Sequence, residues 1–207
     1  MMRENVDDRT CAAFHEAGHA VAAYYLRDLA LRIVQVFITK EPRESVSAVG
    51  PETGWRGWCE VEPFDANCFD LYQRAVQHAA GQAAEKIAGG NPSASDIRQD
   101  EEDMLTCAKK RYPGADNEER RQVLLKTART QADELMQDTW VAVEAVADRL
   151  LASPYAEREV DSWPGRKAHF HYLNGASTES IINNAIGQRI IDSACNRWAM
   201  LCNDGFV

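Results

Sequence analysis

The sequence predicts a mainly α fold with a small antiparallel β element after the first helix. Three observations carry this prediction: alanine-rich stretches with apolar residues at helical spacing, a single run dense in β-branched residues, and Gly or Pro pairs that separate the segments. The 207 residues suit one domain, and 45% hydrophobic with 27% charged residues is ordinary for a globular protein. No internal repeat or long linker divides the chain.

The first helix is predicted from about Asp8 or Thr10, either of which could cap it, to about Leu26. The β-branched and aromatic run at 33–39 then predicts a strand, and 58–61 predicts a second one. Glycines and a proline lie between these two runs. The two strands should therefore form the antiparallel element.

The rest of the sequence predicts helices. Gly89-Gly90 should close the next helix, and Pro113-Gly114 should end the one after it. A last amphipathic helix should begin near Ser177, with an apolar stripe of isoleucines at 182, 186 and 190. The predicted helices cover 70–88, about 93–111, 118–136, 140–151, and the segment after 177.

The composition argues against several classes of partner and location. A net charge of −9 disfavours nucleic acid and anionic membrane surfaces as partners. No run of about 18 apolar residues predicts a membrane span, and the polar first ten residues do not resemble a signal peptide. The six cysteines show no C-x-x-C spacing and are expected to be reduced thiols. We therefore expect a cytoplasmic protein.

His15, Glu16 and His19 form an H-E-x-x-H pattern within the first predicted helix. Histidines four residues apart on a helix project from the same face, which allows both to bind one zinc ion. Glu16 would then lie beside a metal-bound water and act as general base. The alternative is a pair of ordinary polar residues on an exposed helix, but the apolar flanks at 11–14 and 20–23 favour the metal site.

A catalytic zinc site needs a third protein ligand and an open position. The other histidines, His78, His169 and His171, and several carboxylates are candidates. The spacing of these residues does not choose among them.

Three segments resemble the FtsH-type zinc protease family. Residues 12–21 (AAFHEAGHAV) resemble its H-E-A-G-H-A segment, 80–85 (AGQAAE) its G-G-R-A-A-E segment, and 93–97 (SASDI) its G-A-S-N-D-[LI] segment. The likeness extends over about residues 10–162 and implies a helical metalloprotease domain with Asp96 as third zinc ligand. Glu85 is the second candidate for that role, or otherwise a hydrogen-bond acceptor for a ligand imidazole.

The chain also departs from the family pattern. Gln82 replaces the arginine, Lys86 replaces a glutamate, and the aspartate segment is one residue shorter. No G-x-x-x-x-G-K-[ST] motif of an ATPase module occurs. Alone, Asp96 could simply favour a helix start, and the acidic residues at 100–103 are expected to form a solvated face.

These observations predict a zinc peptidase domain at 1–165 and a helical extension at 166–207, packed on the same domain or at a subunit interface of a homo-oligomer. We expect an ATP-independent endopeptidase that cleaves flexible or unfolded polypeptides, or that borrows a separate ATPase. Peptides would dock on an edge of the strand at 33–39, or that edge strand serves only packing. The alternative is a non-catalytic or narrowly regulatory zinc-binding module that binds a protein partner.

Overall fold

A computed structural model describes residues 6–26, 31–40, 54–63, 71–90, 94–160 and 163–186. Within these ranges the fold is mainly helical with a small antiparallel sheet, which confirms the predicted fold class. No helix in the described part of the chain is long and apolar enough to cross a membrane. In chain order the elements are α1 (Asp8–Tyr25), β1 (Leu31–Thr39), β2 (Arg56–Pro63), α2 (Leu71–Ala88), α3 (Ala94–Arg111), α4 (Glu118–Asp138), α5 (Trp140–Ala152), β3 (Ala156–Val160), β4 (Trp163–Asn174) and α6 (Gly175–Ile186).

Helix α1 lies at the centre of the molecule. It packs against α2 and α5 and against strands β1 and β2, so almost every residue from Ala13 to Tyr25 is buried. A helix covered on several sides is apolar around most of its circumference, as this one is. At Gly18 a Cβ atom would lie 2.5 Å from the carbonyl oxygen of Ala80, so α1 and α2 approach closely there.

Capping residues fix the ends of α1 and α2. The N-cap of α1 is Asp7, whose carboxylate accepts the backbone N–H of Thr10 at 2.8 Å, so the predicted caps at Asp8 and Thr10 are wrong by one or more residues. At the end of α2, Gly89 takes a φ of 87° and the N–H of Gly90 donates to the carbonyl of Glu85 at 3.0 Å. This left-handed glycine cap confirms the predicted end of the helix.

The sheet has the strand order β2-β1-β4-β3, and each pairing is antiparallel. Residues 35–38 of β1 pair with β2 on one side and with β4 on the other. The expectation that β1 offers a free edge for peptides is therefore wrong, because β1 is a central strand. Among the described strands, β2 and β3 form the edges.

Strand β4 replaces part of the predicted helical extension, and the boundary that we predict at residue 165 falls inside it. Both faces of β4 are covered: Ala168 and Phe170 pack with Phe37, whereas His171 and Leu173 are buried on the other side. Because a buried histidine interrupts the apolar run, the sequence shows no clear alternation. The Pro and Gly at 164–165 suggest a turn rather than the start of a strand.

Helix α6 begins at Gly175, two residues before the predicted start. A Cβ at this position would overlap the backbone oxygen of Ile33, so only glycine fits where the chain leaves the sheet. Ile182 of the predicted stripe is fully buried, and Tyr24 of α1 donates a hydrogen bond to Asn183. The side chain of Ile186, and Ile190, lie outside the described residues.

Candidate metal centre

Helices α1 and α3 bring three potential metal ligands together. His15 and His19 lie one turn apart on α1, and their Nε2 atoms are 3.0 Å apart. From α3, Asp100 places Oδ2 3.1 Å from Nε2 of His15 and Oδ1 3.5 Å from Nε2 of His19. One ligand atom from each residue lies within 4.8 Å of the other two, so this largely buried group could hold a metal ion.

The Nε2 atoms of the two histidines face each other, and the Nδ1 atom of each ring contacts an oxygen atom on the other side. Nδ1 of His19 donates to the backbone oxygen of Gln77 at 2.8 Å, and Nδ1 of His15 lies 3.2 Å from Oε2 of Glu85. A carbonyl or carboxylate oxygen only accepts, so each Nδ1 carries a proton, and in the neutral form that binds a metal each ring would direct its Nε2 lone pair into the space between the rings. Glu85 thus lies where a hydrogen-bond acceptor for a ligand imidazole is expected.

The electrostatics of the group favour a cation between the rings. Burial lowers the pKa of His15, but the contacts with Asp100 and Glu85 outweigh it and raise that pKa well above 6.5. Burial likewise opposes ionisation of Asp100, yet the charge of His19 and the close contacts with both histidines hold the pKa of Asp100 well below the usual range. Oδ2 of Asp100 is buried and makes no hydrogen bond of good geometry with the described residues. A buried oxygen without a hydrogen bond needs another partner, such as a metal ion.

The spacing of the donor atoms fits a zinc ion. Four ligands at the usual zinc bond lengths would lie about 3.3 Å from one another in a tetrahedron. The two Nε2 atoms are 3.0 Å apart, Oδ2 of Asp100 lies 3.1 Å from the Nε2 of His15, and Oδ1 lies 3.5 Å from the Nε2 of His19, all near this value. Within the described ranges the group has three protein donors, as is typical of a catalytic zinc site, whereas structural sites are closed by a fourth protein ligand.

Gly81 of α2 keeps the space beside the two Nε2 atoms open. A Cβ atom at this position would lie 2.5 Å from Nε2 of His19 and 2.8 Å from Nε2 of His15. The imidazoles are the far ends of flexible side chains, so they would move aside at little cost to the fold. Their movement would nevertheless separate the donor atoms.

We therefore predict that Gly81→Ala lowers zinc affinity about 10- to 100-fold, the effect of misorienting metal ligands. The metal-free protein should not lose stability, because alanine favours a helix over glycine by about 0.5–1 kcal/mol. Competition with a chromophoric chelator measures the affinity, and thermal unfolding without metal measures the stability. The exposed Lys86→Ala on the same helix is the control. Unchanged affinity in Gly81→Ala would contradict the placement of the ion.

Glu16 lies beside the three potential ligands but is not part of the group that they form. Its side chain is only 5% exposed and packs against Gly57 of β2, where a Cβ atom would overlap the carboxylate stem. Burial raises the pKa of Glu16 to about 7, although the charges of His15 and His19 act in the opposite direction. A carboxyl group with this pKa can both accept and donate a proton near neutral pH.

A cavity of about 470 Å³ opens onto these groups, between β2 on one side and α2 and α3 on the other. His78 lines it with a side chain 14% exposed, and its Nδ1 lies 4.0 Å from Oδ1 of Asp100. Burial, Arg74 and His19 lower the pKa of His78 to about 3, so its imidazole is neutral. The sequence did not indicate that His78 faces the cavity.

Asp100 corrects the expectation of a solvated acidic face, because it is only 7% exposed. The other three acidic residues of the predicted face differ in exposure: Glu102 is exposed, whereas Glu101 and Asp103 are half-buried. A signal for Asp100 exists in the sequence, since it lies in phase with a buried stripe of α3. That stripe comprises Met104, Cys107 and Ala108, at four, seven and eight residues from Asp100.

Asp96, the predicted third ligand, lies on α3 one turn before Asp100, but its side chain is outside the described residues. Its role as a ligand stays a prediction. His169 and His171, the other candidates, lie on β4; Nδ1 of His171 donates to the backbone oxygen of Ser153 at 2.6 Å, and both rings contact Tyr155. The one candidate metal group among the described residues includes neither histidine.

No family model matches this chain, and no curated protein matches it significantly. The likeness to the FtsH-type domain therefore depends on the three short segments around His15, Gly81 and Asp96.

Proposed function

We propose that this protein is a zinc-dependent, ATP-independent endopeptidase that resembles an isolated FtsH-type protease domain and cleaves flexible or unfolded polypeptides. One observation carries the proposal. His15, His19 and Asp100 converge beside the buried Glu16, which does not belong to the group of potential metal ligands. Two imidazole nitrogens and one carboxylate oxygen suit zinc. A purely structural site would give no role to the buried Glu16.

Each residue then has a defined task. Bound zinc would supply Lewis acidity, which polarises a substrate carbonyl and lowers the pKa of water. Glu16 accepts the proton of the attacking water and returns it to the leaving amine, and its pKa of about 7 permits both transfers. The backbone of Gln77 and the carboxylate of Glu85 hold the histidine rings in position.

The substrate peptide would dock on the free edge of β2. Among the described strands β2 pairs only with β1, and Gly57 of β2 contacts Glu16. An extended peptide added to this edge would use backbone hydrogen bonds for affinity and would pass beside the carboxylate. Because docking of this kind needs an extended chain, a folded substrate would first have to be unfolded by a separate ATPase.

A reducing, cytoplasmic location is part of the proposal. The described cysteines Cys59 and Cys107 are free thiols, and the sequence has no C-x-x-C spacing. The net charge of −9 favours polypeptide over nucleic acid as the substrate.

Metal removal tests the proposal directly. The purified protein, without a His-tag, should contain one zinc per chain, and zinc at 100 times its Kd should stabilise the fold by about 2.7 kcal/mol. For a chain of this size the corresponding rise in Tm is roughly 5–10 °C. Chelation should abolish cleavage of casein or an unstructured peptide, and zinc should restore it. A chelated protein that cleaves at the original rate, or one that binds no zinc, would refute the proposal.

A further inference from the structure

The surface around Trp55, at the rim of the cavity, has a composition suited to one kind of ligand. We propose that Trp55, Tyr155, Arg9 and Lys40, here called the tryptophan patch, bind an acidic residue of the substrate about two residues from the cleaved bond. This inference rests on the proposed peptidase function and adds a substrate preference to it.

The aromatic part of the patch is built from three separate segments of the chain. The ring of Trp55 lies 5.5 Å from those of Tyr155 and His171, and the ring of Tyr155 lies 5.0 Å from that of His171. His171 is buried and its ring is held by the hydrogen bond to the backbone of Ser153, whereas Tyr155 is 42% exposed. The patch therefore has a buried base and a face that a ligand can reach.

Two cations lie against Trp55 in a chain that is strongly acidic overall. The guanidinium carbon of Arg9 and the ammonium nitrogen of Lys40 are each 5.4 Å from the ring centroid. Arg9 also donates to the backbone oxygen of Leu151 at 2.6 Å, which fixes its position, while Lys40 is exposed. Among the described residues Asp8 is the carboxylate in contact with Trp55, and it already accepts the backbone N–H of that residue at 2.7 Å. The charge of the described residues at this surface therefore favours a carboxylate ligand.

The strand register places the patch relative to the catalytic centre. Thr39 pairs with Arg56 at the end of the β1–β2 ladder, so Lys40 and Trp55 are the next residues beyond it. Trp55 also lines the cavity, and it precedes by two positions Gly57, which contacts Glu16. Two residues of extended chain span roughly 7 Å. A peptide extended along β2 would thus bring a side chain two residues from the cleaved bond onto the patch.

The test uses binding, so that it does not depend on cleavage. Zinc-loaded Glu16→Gln protein is titrated with fluorescent peptides that differ only in Glu or Gln two residues before or after the cleavage position. Fluorescence anisotropy at low salt should give about two- to fivefold tighter binding of one Glu peptide. Lys40→Glu should reverse this preference, and added salt should weaken it. Lys110→Glu, an exposed lysine that does not line the cavity, is the matched control and should retain the preference.

Equal binding of the Glu and Gln peptides, no binding of either, or a preference that survives Lys40→Glu would each overturn the inference. The proposed function fails in a different way. If the wild-type protein cleaved neither peptide while the preference in binding remained, the peptidase proposal would be wrong and the acidic-residue site would stand.

Discussion

Replacing Glu16 with glutamine is expected to leave the metal in place and to lower kcat for peptide cleavage about 10²- to 10⁴-fold, the usual contribution of a general base. Glutamine matches the size of glutamate, so it should fit against Gly57, where there is no room for a larger group. It cannot accept a proton from water. Steady-state cleavage of an unstructured peptide and elemental analysis of the same sample measure the two effects.

Glu102→Gln provides the control for this substitution, because Glu102 is an exposed glutamate of α3 and does not line the cavity. Its kcat should equal that of the wild-type protein. A Glu16→Gln protein that cleaves as fast as wild type would exclude Glu16 as the base. Loss of zinc from this variant would instead show that Glu16 is a ligand.

Asp100→Asn should weaken zinc binding by more than about 100-fold. Loss of a hydrogen-bond partner of a metal ligand already costs 10- to 100-fold, and Asp100 would itself supply a ligand oxygen, since its Oδ2 lies 3.1 Å from His15 and its Oδ1 3.5 Å from His19. The amide keeps the shape of the side chain but removes the charge that balances the ion. Competition with a chromophoric chelator measures the affinity, and circular dichroism shows whether the helices are retained.

Asp96→Asn is the matched variant, one turn earlier on the same helix. We expect its zinc affinity to stay within a few-fold of wild type, since Asp100 already completes the donor group among the described residues. The opposite outcome, with zinc lost from Asp96→Asn and retained by Asp100→Asn, would show that Asp96 is the ligand, as the family resemblance implies.

Local patterns in the sequence were sufficient to predict the helices and part of the candidate site. Helix α2 is rich in alanine and ends at a glycine pair, and the structure ends it at the same place. His15 and His19 are four residues apart on one helix, so their shared face follows from helix geometry alone. Glu16 lies beside them for the same reason.

The remainder depends on packing between distant segments. Asp100 reaches the histidines only because α3 packs against α2, which in turn packs closely on α1 at Gly18. Its place in the buried stripe with Met104 shows which way it faces but not what it meets. Strand β4 is likewise defined by its partners, β1 and β3, more than by its own residues.

The two histidines of the candidate metal centre differ in how easily mutation could change their orientation. His19 is held by the main-chain oxygen of residue 77, which nearly every amino acid at that position would present equally well. His15 is held by the carboxylate of Glu85, which a single codon change removes. Substitution of residue 85 would therefore reorient one imidazole while the other stayed in place, so evolution could most easily adjust the proposed metal affinity through His15.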